Sequence, residues 1–437
     1  MRLPVVLCFA LLCGLATQSP AAEWPGFRGP MGTGATTADP PTQWGPDTNV
    51  RWKTPIPGRG SSTPVVSGGR VFLLTAIDTG LDGEPEPTGG NPGPAFMLAA
   101  APTTVHAFDV LAYDLATGEK LWQTTAVSAV PSEPGHKTTT FAPATPCVAG
   151  GVLYASFGSY GIFAIDAETG ETKWSRDLGQ QVTRAQFGEG ASPSVDVASG
   201  TLIVPWDDER DSKLYALDAA TGETKWSVER DERTTWSTPL ITEFDGRTQV
   251  VCNGGTVRSY DIADGSLIWQ CSGMTGNPIP TPVRFEDSVI CMTGYQGYAV
   301  KAIALSAEGD VTDKDAVLWS RTDAAPYVPS PVLAGGRLWF CKSSNGVVSA
   351  VDAKTGERVA GPGRLPGVSS LYASPAAVDG LVYFTGREGA TTILDAAADD
   401  IFALATNETG EPVDASPVPV GDAILIRGEK HLFCFGE

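Results

Sequence analysis

Apolar residues in this chain come in short runs broken by glycine and proline, and no stretch repeats with the 3.6-residue period of a helix. Val65-Val66, then Gly68-Gly69, then Val71 to Thr75 is typical: a short strand, a tight turn and a second strand. Each such unit starts with Ser-Pro or Thr-Pro. The pair occurs at Thr63-Pro64, Thr145-Pro146, Ser192-Pro193, Thr238-Pro239, Thr281-Pro282, Ser330-Pro331, Ser374-Pro375 and Ser416-Pro417. Successive prolines lie 82, 47, 46, 43, 49, 44 and 42 residues apart. Proline fits the first residue of a strand, where the missing N–H costs no ladder bond. Units of roughly 45 residues holding four short strands predict the blades of a β-propeller. The one long interval contains an insertion, residues 79–104, rich in Gly, Pro and Ala. It reads as a mobile surface excursion from the first blade.

A second repeat interleaves with the first. Ala112-Tyr-Asp114-Leu-Ala-Thr117-Gly118-Glu-Lys-Leu-Trp122 returns as Ala164 to Trp174 and again as Ala216 to Trp226. Weaker copies run from Asp261 to Trp269 and from Ala350 to Ala360, and Trp319 and Thr409-Gly410 mark two distorted ones. The phrase predicts a hairpin in which Asp caps the turn, Gly supplies a positive φ and Trp forms a buried plate. The count is eight. The last unit ends after its third strand, and residues 49–54, with Trp52 at the fourth-strand position, have no strands of their own before them. The N-terminal strand is therefore expected to complete the last blade and close the ring. The expected architecture is all-β, a single eight-bladed propeller over residues 23–437.

Composition narrows the chemistry. Gly and Pro number 50 and 34 in 437 residues, too many breakers for a helical protein. The net charge of −20 argues against nucleic acid as partner, and three His nearly exclude a histidine-based metal site. Residues 1–22 read as a signal peptide, with Arg2 before an apolar run too short for a membrane span and small residues after it. No other stretch has the length of a membrane helix, so an exported protein, periplasmic or extracellular, is expected. Six cysteines remain (Cys147, Cys252, Cys271, Cys291, Cys341, Cys434), mostly in strand-like apolar runs; they read as buried hydrophobes, with Cys252 and Cys271 the nearest pair for a disulfide. Two acidic clusters, Asp207 to Asp211 and Asp310 to Asp315, raise calcium, but neither has the spacing of an EF-hand.

The pattern Ala-x-Asp-x-x-Thr-Gly-x-x-x-Trp resembles the tryptophan-docking repeat of the eight-bladed quinoprotein (PQQ-like) propellers. The opening Trp24-Pro-Gly-Phe-Arg-Gly-Pro, with Trp44 and Trp52, is similar to a group of exported bacterial BamB-like repeat proteins. The resemblance implies structural docking for Trp52, Trp122, Trp174, Trp226, Trp269 and Trp319. It covers quinone-dependent alcohol dehydrogenases and a non-enzymatic envelope scaffold alike. The dehydrogenases hold PQQ between a Trp and a disulfide of adjacent cysteines, with a calcium ion and an Asp base. This chain has no Cys-Cys pair, and that Asp has no match here. The expected function is a non-catalytic binding or scaffold propeller of the cell envelope, without cofactor. The alternatives are a PQQ-dependent oxidoreductase with a divergent site, which would need PQQ and calcium, and a carbohydrate-processing enzyme.

Propellers bind at the mouth where the inner strands begin. The loops before each Ser/Thr-Pro bring Arg59, Lys137, Arg184, Arg233, Trp236, Asn277, Tyr327, Tyr372 and Asp414 there. The turns between second and third strands bring Tyr160, Glu209, Tyr295, Asn345, Arg387, Glu388, Arg427 and Lys430. In an acidic protein these cations would focus positive potential on the funnel, and aromatics beside Arg suit sugars, carboxylated ligands or peptide segments. The competing reading has Arg and Asp pairing to hold blades together. The expected partner is an envelope protein or a small anionic or sugar-like ligand. His136 reads as a surface residue and His431 as packed. Gly-x-Ser-x-Gly is absent, and no pair of carboxylates is assignable to glycoside chemistry.

Overall fold

The computed structural model describes residues 23–436; the expected signal peptide lies outside them. Among the described residues, eight sheets carry the fold, each built on four antiparallel strands that form one blade. Every innermost strand starts on the residue after its proline: Val65–Ser67, Cys147–Ala149, Ser194–Asp196, Leu240–Phe244, Val283–Phe285, Val332–Ala334, Ala376–Val378 and Val418–Val420. We number the blades 1 to 8 in that order. Second strands such as Thr201–Trp206, Ser288–Thr293 and Ala423–Arg427 are buried at every position, because blades pack against both their faces. Outer strands such as Lys120–Ala129 alternate between half-buried and exposed.

Closure follows the expected route. Val50–Pro55 pairs antiparallel with His431–Gly436, with Trp52 opposite Cys434 and Thr54 opposite Leu432, and so supplies the fourth strand of blade 8.

The hydroxyl of the Ser/Thr-Pro pair has a role its spacing did not reveal. The N–H of one such residue donates to the hydroxyl of the next blade's: Thr63 to Thr145 (3.0 Å), Thr145 to Ser192 (2.9 Å), Thr281 to Ser330 (3.0 Å), Ser330 to Ser374 (2.9 Å) and Ser374 to Ser416 (3.0 Å). Among the described residues these bonds form a belt around the axis that is interrupted at blade 4, where Thr281 Oγ1 has no hydrogen-bond partner.

Most of the outer tryptophans reach the following blade. The indole N–H of Trp52, Trp174, Trp226 and Trp319 donates to Leu115, Ala219, Ile262 and Ala353 carbonyls of the following blade at 2.9–3.1 Å. Trp122 lies against Gly170, the turn glycine of blade 2. Trp269 differs. It is fully buried, donates to Gln249 of its own blade (3.3 Å), and is flanked by Gly309–Asp310, a fifth strand added parallel to Leu267–Ser272. Thr409-Gly410 is also placed differently from expectation. It follows the outer strand Ala403–Glu408 and enters the connection to blade 8, while the hairpin turn of blade 7 is 396–402.

The N-terminal segment plugs the axial channel. Trp24 bridges Val66 of blade 1, Pro25 accepts from Val148 of blade 2, Thr33 accepts from Leu333 of blade 6, and Ala35–Thr36 runs parallel to Ala376–Val378 of blade 7. Arg28 Nη2 donates to the Pro331 and Pro375 carbonyls (2.9 and 2.8 Å).

The insertion is not a free excursion. The strands Arg70–Asp82 and Thr104–Asp114 extend into it, and residues 83–103 fold back as a strap. Gly93 donates to the Ala185 carbonyl (2.9 Å), and Lys137 donates through its backbone to Met97 (2.9 Å). Backbone hydrogen bonds hold it where composition alone suggested mobility. All six cysteines are buried free thiols.

Candidate functional site: a blind axial cavity

Inside the belt lies a cavity of about 310 Å³. It is lined by Thr63, Thr145, Ser192, Thr238, Ser374 and Ser416 of the Ser/Thr-Pro pairs and by Phe27 of the plug. Since Phe27 belongs to the segment that fills the channel, the cavity has a floor and is not a through-pore. Its walls are aromatic. Trp236, Tyr295, Tyr327 and Tyr372 line it, joined by Met97, Phe187 and Ile279. The Tyr295 and Tyr327 rings lie 5.0 Å apart.

One wall is a chain of side chains from four loops. Asp414 takes a two-pronged bond from Arg387 (2.6 and 3.0 Å). The Arg387 guanidinium lies 4.1 Å from the Tyr372 ring centroid. The Tyr372 hydroxyl is 2.9 Å from Thr138 Oγ1, which is 2.7 Å from His136 Nδ1. The bond to Asp414 raises the pKa of Arg387 above the ordinary arginine value. Burial, Lys137 and Arg387 together lower that of His136, so the imidazole is neutral at pH 7. The Thr138 N–H also points at His136 Nδ1 (3.3 Å), which makes Nδ1 the acceptor and leaves the proton on Nε2. Sequence reading set His136 on the surface; it is half-buried on the cavity wall, against the edge of Phe187.

Two carboxyls went unnoticed in the sequence because neither sits at a repeat position. Glu189 lines the cavity and accepts from the Ser159 N–H (2.8 Å) and hydroxyl. Burial pushes its pKa up to about 7, against the pull of Ser159 and with a small push from Glu133. Glu133 is buried, accepts from the Thr183 N–H (2.9 Å) and hydroxyl, and is also raised by burial.

The remaining sequence candidates divide by place. Arg184 is half-buried, Arg233, Lys137 and Lys430 are exposed, and Arg59 faces Glu429 across 3.6 Å. Arg427 is inside the wall, 2% exposed, and donates to the Ser62 carbonyl and hydroxyl and the Leu74 carbonyl (3.1, 2.6 and 2.8 Å). Its long apolar stem carries the guanidinium down between blades 8 and 1, so it ties blades and offers nothing to a ligand. Tyr160 stacks on Phe108 and bonds the Val130 carbonyl (3.2 Å), Asn345 caps Val347, Glu388 bonds Ser369, and Glu209 accepts from Thr234. In the first acidic cluster, Asp207 forms a buried pair with Arg230 (2.7 Å) and Asp208 caps Arg210 and Asp211.

The quinone enzymes' arrangement does not fit these residues. No cysteine lines the cavity, and among the described residues no group of three or more His, Cys, Asp or Glu is placed to hold a metal ion.

Comparison with known proteins places the chain. The family profile described as outer membrane protein assembly factor BamB matches residues 106–361. BamB of Burkholderia pseudomallei (strain K96243) is 25% identical over 312 residues, 69% of this chain and 66% of that protein. The quinohemoprotein alcohol dehydrogenase ADH-IIG of Pseudomonas putida is 28% identical over 148 residues, 31% of this chain. The matched part spans only 20% of that dehydrogenase. Its solved structure superposes with a TM-score of 0.60 at 10% identity, covering 95% of this chain and 80% of that one. The crystal structure of BamB from Moraxella catarrhalis gives 0.53 at 15% identity, covering 83% and 99%. At such identities the superpositions speak for the propeller fold alone.

Proposed function

The chain belongs to the family of the outer membrane protein assembly factor BamB, and on that footing we propose that it is a non-catalytic binding propeller of the bacterial cell envelope whose axial cavity takes a protein segment or a small molecule. The observation that carries this reading is the blind aromatic cavity itself: concave, floored by the plug at Phe27, and lined by Trp236, Tyr295, Tyr327 and Tyr372. Of the two acids on its wall, Asp414 is held by Arg387 and Glu189 accepts from Ser159. Export, expected from residues 1–22, accords with the envelope role in the name of the BamB relatives.

The test is affinity capture from an envelope extract with the intact protein and with Trp236→Ala. A partner retained by the first and lost by the second supports the reading. A partner retained equally by both moves the binding surface away from the cavity. Matches to the quinohemoprotein dehydrogenases favour a second reading, a quinone-dependent oxidoreductase. Dye-linked alcohol oxidation after addition of PQQ and calcium would establish it, and a flat trace would remove it.

A further inference from the structure

The hydrogen-bonding groups of the cavity and its mouth divide unevenly. The acceptors with charge are already satisfied: Asp414 by Arg387, Glu189 by Ser159, and Glu133 by Thr183. Donors are left over, together with one neutral acceptor, Asn277 Oδ1, buried and without a partner among the described residues. His136 Nε2 carries the ring proton with no partner among the described residues, since Nδ1 takes both Thr138 groups. The Tyr327 hydroxyl can receive a long bond from Asn277 Nδ2 (3.5 Å), so its own hydrogen is unassigned. Arg184 has no side-chain hydrogen bond or ion pair among the described residues, in a chain of net charge −20.

Arg184 is held in place by strained backbone. Ala185 and Gln186 behind it have φ of 57° and 58°, and Asn277 facing it has φ of 51°. Side chains with a Cβ rarely take that region. The strap sustains it: Gly93 donates to the Ala185 carbonyl, and Gln186 Nε2 donates to the Gly90 carbonyl (3.1 Å). Arg184 is outside the cavity lining itself; its Nη1 lies 3.6 Å from where a Cβ on Gly276 would stand, beside Asn277, whose amide reaches Tyr327 on the wall.

Resting on the axial-cavity reading above, we propose that the ligand is a sugar bearing a carboxylate, a uronic acid or a short chain of them, with its ring on the aromatic walls and its carboxylate on Arg184. Unengaged donors call for an acceptor-rich ligand, and a guanidinium fits a carboxylate with paired bonds. The aromatic faces suit the C–H faces of a sugar ring, and the belt hydroxyls can exchange bonds with ligand hydroxyls. A cationic ligand is disfavoured, because Arg387 already covers one face of Tyr372 and no carboxylate of the wall lacks a partner. The volume of about 310 Å³ is at the small end of ligand pockets, which run from roughly 300 to 1,000 Å³.

The test is titration calorimetry of the full chain with glucuronate and galacturonate, with glucose and galactose as neutral counterparts. Uronates should bind about ten-fold more tightly than hexoses, and Arg184→Gln should remove that advantage while leaving hexose binding and melting temperature unchanged. Arg184→Lys should restore part of it, and raised salt should weaken the uronates alone. Absence of uronate binding, equal affinity for acid and hexose, or an unchanged Arg184→Gln variant overturns the proposal. Failure of the cavity reading looks different: uronate binding untouched by Trp236→Ala would place the site elsewhere. Capture of an envelope partner that depends on Trp236, with no uronate binding, would defeat only the sugar proposal.

Discussion

The backbone N–H of Ser416 points at the hydroxyl of Thr63, 3.4 Å away and 353 positions distant in the chain. It joins blade 8 to blade 1 on the inside of the ring. On the outside, Trp52 opposite Cys434 closes the same seam through the strand ladder. The seam is thus fastened at both radii, and the inner fastening lies on the cavity wall.

Thr63→Val should therefore cost about 1–3 kcal/mol, because Ser416 keeps a buried N–H with no acceptor. Thr63→Ser, which retains the oxygen, should cost much less. Thr145→Val should resemble Thr63→Val, since Thr145 accepts from Thr63 in the same way at 3.0 Å. Chemical denaturation measures all three; equal stability of Thr63→Val and Thr63→Ser would show that the belt bond contributes nothing.

Docking of Trp174 makes a paired prediction about glycines. Gly222 has φ +76°, and a Cβ there would stand 2.7 Å from the Trp174 ring. Gly200 has φ +59° with nothing within 4 Å. Gly200→Ala should cost about 1 kcal/mol for the backbone alone, while Gly222→Ala adds a collision with a rigid indole and should lower the melting temperature distinctly further. Equal shifts would mean that the indole moves aside without loss.

Periodic features were legible in the sequence because each blade restates them. The Ser/Thr-Pro spacing placed all eight inner strands, and Trp52 at the chain start announced the closing seam. Features that depend on partners in other blades were not legible. Arg427 looks like a funnel residue by position, yet its partners Ser62 and Leu74 belong to the neighbouring blade. The segment from Trp24 to Arg28 carries no periodicity, and its partners at Val66, Pro331 and Pro375 become near only after the ring closes. Of the aromatic wall, Trp236, Tyr327 and Tyr372 were candidates from loop position and Tyr295 from its turn. Glu189 was missed and His136 was set on the surface because their neighbours lie on other loops, Ser159 for Glu189 and Leu98 and Phe187 for His136.

Glu189 gives a pH prediction. Its carboxyl titrates near 7 in the folded chain and at the ordinary value of 4.5 when unfolded. Between these values the folded state holds more protons than the unfolded one, so stability falls as pH rises from about 4.5 to about 7 and levels off above. Glu189→Gln keeps an oxygen for the Ser159 N–H and removes the titration. Its stability should hold across that window and exceed that of the parent above pH 7, by on the order of 2 kcal/mol. Parallel pH profiles for the two proteins would mean that Glu189 ionises without cost in the folded state.

Arg387 and Asp414 are expected to act as structure. Both are about 30% exposed, so their pairing is partly screened, but Arg387 also props Tyr372. Arg387→Ala should lower stability by about 1 kcal/mol. It should also quicken amide exchange in 131–140, since Tyr372 holds that loop through Thr138. A double-mutant cycle with Asp414→Ala reports the coupling; additive effects would show that the two side chains act separately.

The strap makes the last prediction. Replacing residues 84–102 with a short Gly-rich turn removes the bonds from Gly93 to Ala185, from Gln186 to Gly90 and from Lys137 to Met97. The blade strands themselves remain paired up to Asp78 opposite His106, so the ring should keep its melting temperature within a few degrees. The left-handed turn at Ala185 and Gln186 loses its support and should relax, since each strained position releases about 1–3 kcal/mol on returning to ordinary backbone. Arg184 then loses its fixed place beside Asn277. The shortened protein should therefore fold normally and bind cavity ligands more weakly, with the loss appearing in affinity and not in stability. Full affinity in the shortened protein would show that the turn keeps its conformation unaided, and a large drop in melting temperature would show that the strap belongs to the core of blade 1.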